Sequence, residues 1–183
     1  TGGIVAVEKK MDIVGILILS TLTGIGGGIL RDLILGNTPP VAFRTYIYFI
    51  LLAASGLIVF FFYRRVKSLE KIIVFADALG LGVFTVIGIE KGLIFKMPYF
   101  NCILLGIMTA TFGGLLRDIL ANRVPFILEK EFYATACFIG GILFFVMHNV
   151  IPEWIKDTVV IIFITGLRIV AYLKHWNLPK AKT

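Results

Sequence analysis

The 183-residue chain is poor in charge, with 16% of its residues Asp, Glu, Lys or Arg, where a soluble domain ordinarily carries about a quarter. That shortage excludes a disordered chain, a nucleic-acid-binding domain and most soluble enzymes. Histidine and cysteine are scarce too, two of each. His148 and His175 sit at the ends of apolar runs with no partner at ligand spacing, so neither is expected to hold a metal. Cys102 and Cys137 lie inside apolar runs, where a thiol acts as a small packing group. H-E-x-x-H, G-x-S-x-G and Cys/His clusters are all missing, so the reading is of a non-enzyme without a cofactor.

What is abundant is apolar. Hydrophobic residues make up 58% of the chain, with 19 Gly and 16 Phe, and the mean hydropathy is +0.96. A membrane-crossing helix needs about 20 apolar residues, so the length allows about seven crossings and leaves no room for a soluble catalytic domain. Long apolar runs cover Ile13–Gly36, Thr45–Tyr63, Ile72–Ile89, Tyr99–Ala121, Phe132–His148 and Trp154–Tyr172. Short polar connections separate them, such as Asn37-Thr38-Pro39-Pro40 and Arg64-Arg65-Val66-Lys67. Thr1–Val7 is apolar but too short to cross, and it is read as the tail of a first, truncated span. The expected fold is an all-α membrane protein of seven helices in one transmembrane domain, residues 1–174, followed by a cytoplasmic tail at 175–183.

Basic residues set the orientation. One side of the predicted topology carries Lys9, Lys10, Arg64, Arg65, Lys67, Lys71, Arg117, Arg123, Lys130, Lys174, Lys180 and Lys182. The other carries Arg31, Arg44, Lys91, Lys96 and Lys156. The imbalance predicts a cytoplasmic C-terminus and an outside N-terminus. The net charge of +7 therefore calls for no acidic partner.

An internal repeat is the most specific signal. Shifted by 86 residues, Thr23-Gly24-Ile25-Gly26-Gly27-Gly28-Ile29-Leu30-Arg31-Asp32 falls on Thr109-Ala110-Thr111-Phe112-Gly113-Gly114-Leu115-Leu116-Arg117-Asp118, and Pro39 falls on Pro125. Upstream, Glu8-Lys9 is matched to Glu90-Lys91 across a four-residue gap. Repeat one is placed at residues 1–66, repeat two at 72–150 and the seventh helix at 154–174. Three spans per copy is an odd number, so the copies enter the membrane from opposite sides. Inverted repeats with Gly-interrupted helices at matching positions point to a solute or ion pathway near the bilayer midplane.

Gly26, Gly27, Gly28, Gly113 and Gly114 allow close helix packing, and in clusters they also favour kinks. Their occurrence in both copies favours helix breaks lining a pathway, with freed carbonyls available to a cation. Arg31, Asp32, Arg117 and Asp118 follow within a turn. Adjacent residues do not face one another on a helix, so each Arg is expected to find its partner on another element. Asp32, Asp118 and Asp77 are the candidate cation-facing carboxylates. Thr23, Thr85 and Thr109 are candidate polar lining, although a Thr hydroxyl also serves its own helix carbonyl. Arg168 is read as either structural or gating.

The doubled motif, with Asp77-Ala78-Leu79-Gly80 opening the fourth span, resembles the prokaryotic branch of the trimeric intracellular cation (TRIC) channels, often grouped under a glycine-transporter-like domain. The resemblance covers nearly the whole chain. It implies a homotrimer in the plasma membrane of a prokaryote, with one pore inside each protomer between helices two and five. The pore would conduct monovalent cations, chiefly potassium with sodium as the further candidate. The sequence departs from symmetry where Phe112 stands opposite Gly26, so the two halves of the pore are not expected to be equally open. An alternating-access carrier of a small solute such as an amino acid is the competing reading, and a structural membrane subunit is a third.

Overall fold

The computed structural model describes residues 1–129, 132–174 and 176. Apart from Trp176, the tail expected at 175–183 lies outside the described residues, as does Lys130. Among the described residues the secondary structure is entirely helical. The helices are α1 (Gly2–Glu8), α2 (Ile13–Ile34), α3 (Ile47–Ser68), α4 (Glu70–Ile94), α5 (Tyr99–Leu120), the single turn α6 (Phe126–Glu129), α7 (Ala134–Met147) and α8 (Glu153–Leu173), with a 3-10 turn at Val41–Phe43. Each apolar run of the sequence is a helix. Helices α2, α3, α4 and α5 are long and apolar enough to cross a membrane, and α7 is a shorter apolar helix. Helix α8 spans 21 residues and carries Lys156, Asp157 and Arg168 in its apolar stretch.

Residues Arg64 to Lys67, read as a connection, instead continue α3 as its last turn. The apolar span ends at Phe62, whose backbone leaves helical geometry (φ −119°, ψ 25°). Beyond it the basic turn stays helical, with Arg65 and Lys67 at the negative end of the helix dipole.

The repeat is visible in the backbone. Lys10 and Lys96 both adopt φ 56°, and Gly36 and Asn122 adopt 66° and 50°. Each of these left-handed residues closes a helix by the same pair of bonds. Met11 N–H donates to Ala6 O and Met97 N–H to Gly92 O, both at 3.0 Å; Asn37 N–H donates to Asp32 O at 2.8 Å and Arg123 N–H to Asp118 O at 2.9 Å. This six-to-one bond satisfies carbonyls that a helix end leaves open. The register holds without a gap, so Glu8-Lys9 corresponds to Ile94-Phe95. The four-residue gap in the sequence match is therefore corrected: two Glu-Lys pairs happened to lie near one another in the alignment. The single turn at Val41–Phe43 and helix α6 are a further matching pair.

The chain forms two compact units whose boundaries fall within α4 and α5. Unit one is Thr1–Ile73 with Thr111–Pro125; unit two is Val74–Ala110 with the chain from Phe126 onward. In unit one the core is Val5, Ala6, Ile16, Leu19 and Ala121. In unit two it is built from Leu81, Val86, Ile89, Cys102, Ala136, Cys137, Phe144, Val160 and Ile164. Glycine brings the helices of each unit together. A β-carbon on Gly2 would meet the backbone of Leu19 and Ser20, one on Gly82 would stand 2.8 Å from the Ile161 carbonyl, and one on Gly88 would stand 2.6 Å from the Gly106 Cα. Lipid tails are as apolar as Leu, so close backbone approach replaces the hydrophobic effect as the source of helix association. On α3 many large apolar side chains turn outward: Ile47, Ile50, Leu51, Ile58, Phe61 and Phe62 are all exposed.

Candidate functional site

The glycine clusters do not break their helices. Helix α2 is continuous through Gly26, Gly27 and Gly28, and α5 through Gly113 and Gly114. Inside α2 no residue departs from helical φ/ψ, in contrast to Phe62 of α3. The expected helix break is therefore corrected to a close crossing within unit one. A β-carbon on Gly26 would lie 3.5 Å from the Gly113 Cα, and one on Gly113 would run into the carbonyl oxygen of Thr23. A helix interior keeps its hydrogen bonds when the small residue's benefit is proximity, and the cost of Gly over Ala, about 1 kcal/mol each, is offset by that contact. Gly28 and Gly114 differ from their neighbours. A β-carbon there would meet only the guanidinium three residues on, at 3.9 Å from Arg31 Nη2 and 3.8 Å from Arg117 Nη2.

Both guanidinium groups close onto the neighbouring aspartate of their own helix. Arg31 turns along its helix to the next residue, with Nε donating to Asp32 Oδ1 at 2.9 Å and Nη2 at 2.8 Å from the same oxygen. Arg117 repeats the arrangement as a fork, Nε to Asp118 Oδ1 at 2.8 Å and Nη2 to Oδ2 at 2.9 Å. For Arg31 the expected partner on another element is therefore corrected to the adjacent Asp32. Side chains of adjacent residues leave the helix in different directions, but the long arginine arm closes the distance, and burial rewards it for doing so. Asp32 and Asp118 are 1% and 4% exposed, and a charge so enclosed costs several kcal/mol without a partner. Asp32 makes one more bond, its Oδ2 accepting from the Val41 N–H at 2.8 Å. The carboxylate thereby ties the 3-10 turn to the end of α2.

The threonines serve their own helices. Thr23 donates to Leu19 O at 2.6 Å, Thr85 to Leu81 O at 2.7 Å and Thr109 to Leu105 O at 2.7 Å. Their hydroxyl oxygens remain as acceptors of further donors. Asp77 lies in unit two, where the Tyr133 hydroxyl donates to its Oδ2 at 3.1 Å. Unit one thus gathers Thr23, the glycines and both Arg–Asp pairs, and unit two holds Asp77, Thr85 and Thr109. Tyr133 and Phe126 were missed by sequence reasoning, because Tyr133 at the start of an apolar run looks like an interface anchor and Phe126 lies in the connection before that run. Proline before Phe126 was the only local hint of a turn there. Among the described residues no three His, Cys, Asp or Glu side chains gather as a metal site.

Comparison with known proteins follows the same layout. Residues 1–64 and 74–149 match the family described as Glycine transporter. A UPF0126 membrane protein of Vibrio cholerae is 40% identical over 143 residues, which are 78% of this chain and 60% of that protein. The UPF0126 membrane protein YvgT of Bacillus subtilis is 31% identical over 184 residues, 98% of this chain and 88% of that one. Among solved structures, one of a study of conductance through TRIC cation channels superposes with a TM-score of 0.94 at 39% identity, covering 100% of this chain and 90% of that one. The TRIC trimeric intracellular cation channel orthologue from Rhodobacter sphaeroides gives 0.88 at 33% identity, covering 96% and 91%. The chain spans 60% of the length of the Vibrio cholerae relative.

Proposed function

Since the chain belongs to the glycine-transporter family and is a multi-pass membrane protein with the fold of TRIC cation channels, we propose that it is the protomer of a homotrimeric channel for monovalent cations, chiefly potassium. The likeness along the whole chain to solved TRIC cation channels is the observation that carries this reading. In it, one pore runs within each protomer along α2 and α5, beside the repeated Gly and Arg–Asp residues. Gly28 and Gly114 leave space next to the two guanidinium groups. In unit one Asp32 and Asp118 provide negative potential and Thr23 a hydroxyl oxygen; in unit two Asp77, Thr85 and Thr109 are the candidate polar groups. The copies stand inverted in a prokaryotic plasma membrane, with the N-terminus outside and the C-terminus in the cytoplasm, as the distribution of Lys and Arg favours.

Purified protein in planar bilayers with asymmetric KCl tests the proposal. Unitary currents reversing near the potassium equilibrium potential are expected. Their absence, or a reversal potential set by chloride, rejects it. Saturable counterflow into liposomes without unitary current is the result expected of the alternating-access carrier.

A further inference from the structure

Buried arginines in this protein are treated in two ways. Arg31 and Arg117 are each closed onto a carboxylate. Arg168 of α8 is as deeply buried, 5% exposed, yet its guanidinium rests on rings. Its Cζ lies 4.9 Å from the centroid of Tyr133 and 5.3 Å from that of Phe126. No carboxylate or carbonyl among the described residues accepts a hydrogen bond from it. Asp77 reaches the group indirectly, by accepting from the Tyr133 hydroxyl. Asp77 of α4, Phe126 of α6, Tyr133 just before α7, and Arg168 of α8 thus meet within unit two.

Ring faces attract cations through their quadrupole, and a carboxylate behind the phenol adds to the negative potential. Such a niche suits any weakly hydrated monovalent cation. A guanidinium held by faces alone is also more easily displaced than one in a two-point ion pair, because leaving breaks no directional bond. We propose that Arg168 is a tethered cation seated in a niche made by Asp77, Tyr133 and Phe126, where it competes with the permeant cation and limits flux through the protomer. The inference rests on the channel reading and deepens it: α8, which lies outside the repeat, supplies an internal competitor.

Recording the purified full chain in planar bilayers under KCl tests this. R168A is expected to raise the time-averaged potassium current per channel roughly five- to thirtyfold, the population change that loss of two cation–π contacts corresponds to. Methylguanidinium in the bath is expected to refill the emptied niche and lower the R168A current while leaving wild type unchanged. R168M keeps the aliphatic stem where R168A fails to assemble, and F126L removes one ring with the charge in place; both are expected to raise the current, F126L by less. Assembled variants that conduct as wild type does, or methylguanidinium acting equally on wild type and R168A, overturn the inference alone. A wild type without cation current overturns the channel reading, and this inference with it.

Discussion

In the first copy of the repeat Gly2 lies against Leu19, Ser20 and Thr23; in the second its counterpart Gly88 lies against Gly106 and Thr109. Thr23 and Thr109 make the same bond to the carbonyl four residues back, and the helices that follow end in the same left-handed cap. Where backbone meets backbone, the copies agree. They part where a side chain is free to differ. Position 20 carries a serine whose buried hydroxyl lacks a hydrogen-bond partner, while position 106 carries no side chain. Glu8 joins three chain segments at the end of unit one, taking hydrogen bonds from Arg123 at 2.9 Å and Lys67 at 3.3 Å; its structural counterpart in the second copy is Ile94. Close helix crossing tolerates few residue types, and so it has kept the repeat legible, whereas the polar content of each copy has been free to specialise.

The largest test of this asymmetry lies in the two Arg–Asp pairs. D32A strands Arg31 and the Val41 N–H, and is expected to lower unfolding stability in detergent by about 3–5 kcal/mol. D118A is expected to cost less, because the Arg117 side chain is 13% exposed against 9% for Arg31. Thermal melts showing equal or reversed losses would break the comparison.

Exchanges at positions 20 and 106 should be smaller and opposite in sign. A β-carbon on Gly106 stands 2.7 Å from the Thr85 carbonyl oxygen, so G106A is expected to destabilise by about 1–3 kcal/mol. S20A removes an unsatisfied buried hydroxyl and should stabilise by on the order of 1 kcal/mol. The same melts decide, and a destabilising S20A would show that the hydroxyl is satisfied in the membrane.

The smallest effect belongs to Glu8. Burial pushes its carboxyl up, but the hydrogen bonds from Arg123 and Lys67, with their charges, together hold it below the usual value. A lowered folded value means that its contribution is full above the unfolded carboxylate range and disappears as pH falls through the folded value. E8Q is expected to cost a few tenths of a kcal/mol at neutral pH, as exposed ion pairs do, and nothing once the pH lies below that value. A difference between E8Q and wild type that persists in acid would locate the effect elsewhere.

Much of the fold was legible in advance because a bilayer imposes a simple rule. Every apolar run had to satisfy its own backbone bonds, so each became a helix. The 86-residue repeat was legible because Gly-Gly-x-Leu-Arg-Asp is not a pattern that two apolar helices share by chance. The register upstream was not, since Glu8-Lys9 and Glu90-Lys91 look alike and only the caps at Lys10 and Lys96 show which residues correspond. The site was legible as a set of residues and not as contacts. Gly113 is far in sequence from Thr23 and Gly26, and nothing local distinguishes a glycine that breaks a helix from one that admits a neighbour.

The sequence by itself determined that this is a helical membrane protein, where its helices run, and that two related halves carry buried charge beside glycine. Composition and periodicity suffice for that, because helix formation in lipid is a local matter. Only the tertiary structure decided that the glycines join helices instead of opening them, that Arg31 and Arg117 each close on the neighbouring aspartate, and that Arg168 packs against two rings with Asp77 bonded to one of them. Those outcomes depend on which surfaces meet in three dimensions, and on how far an arginine arm must reach once water is gone.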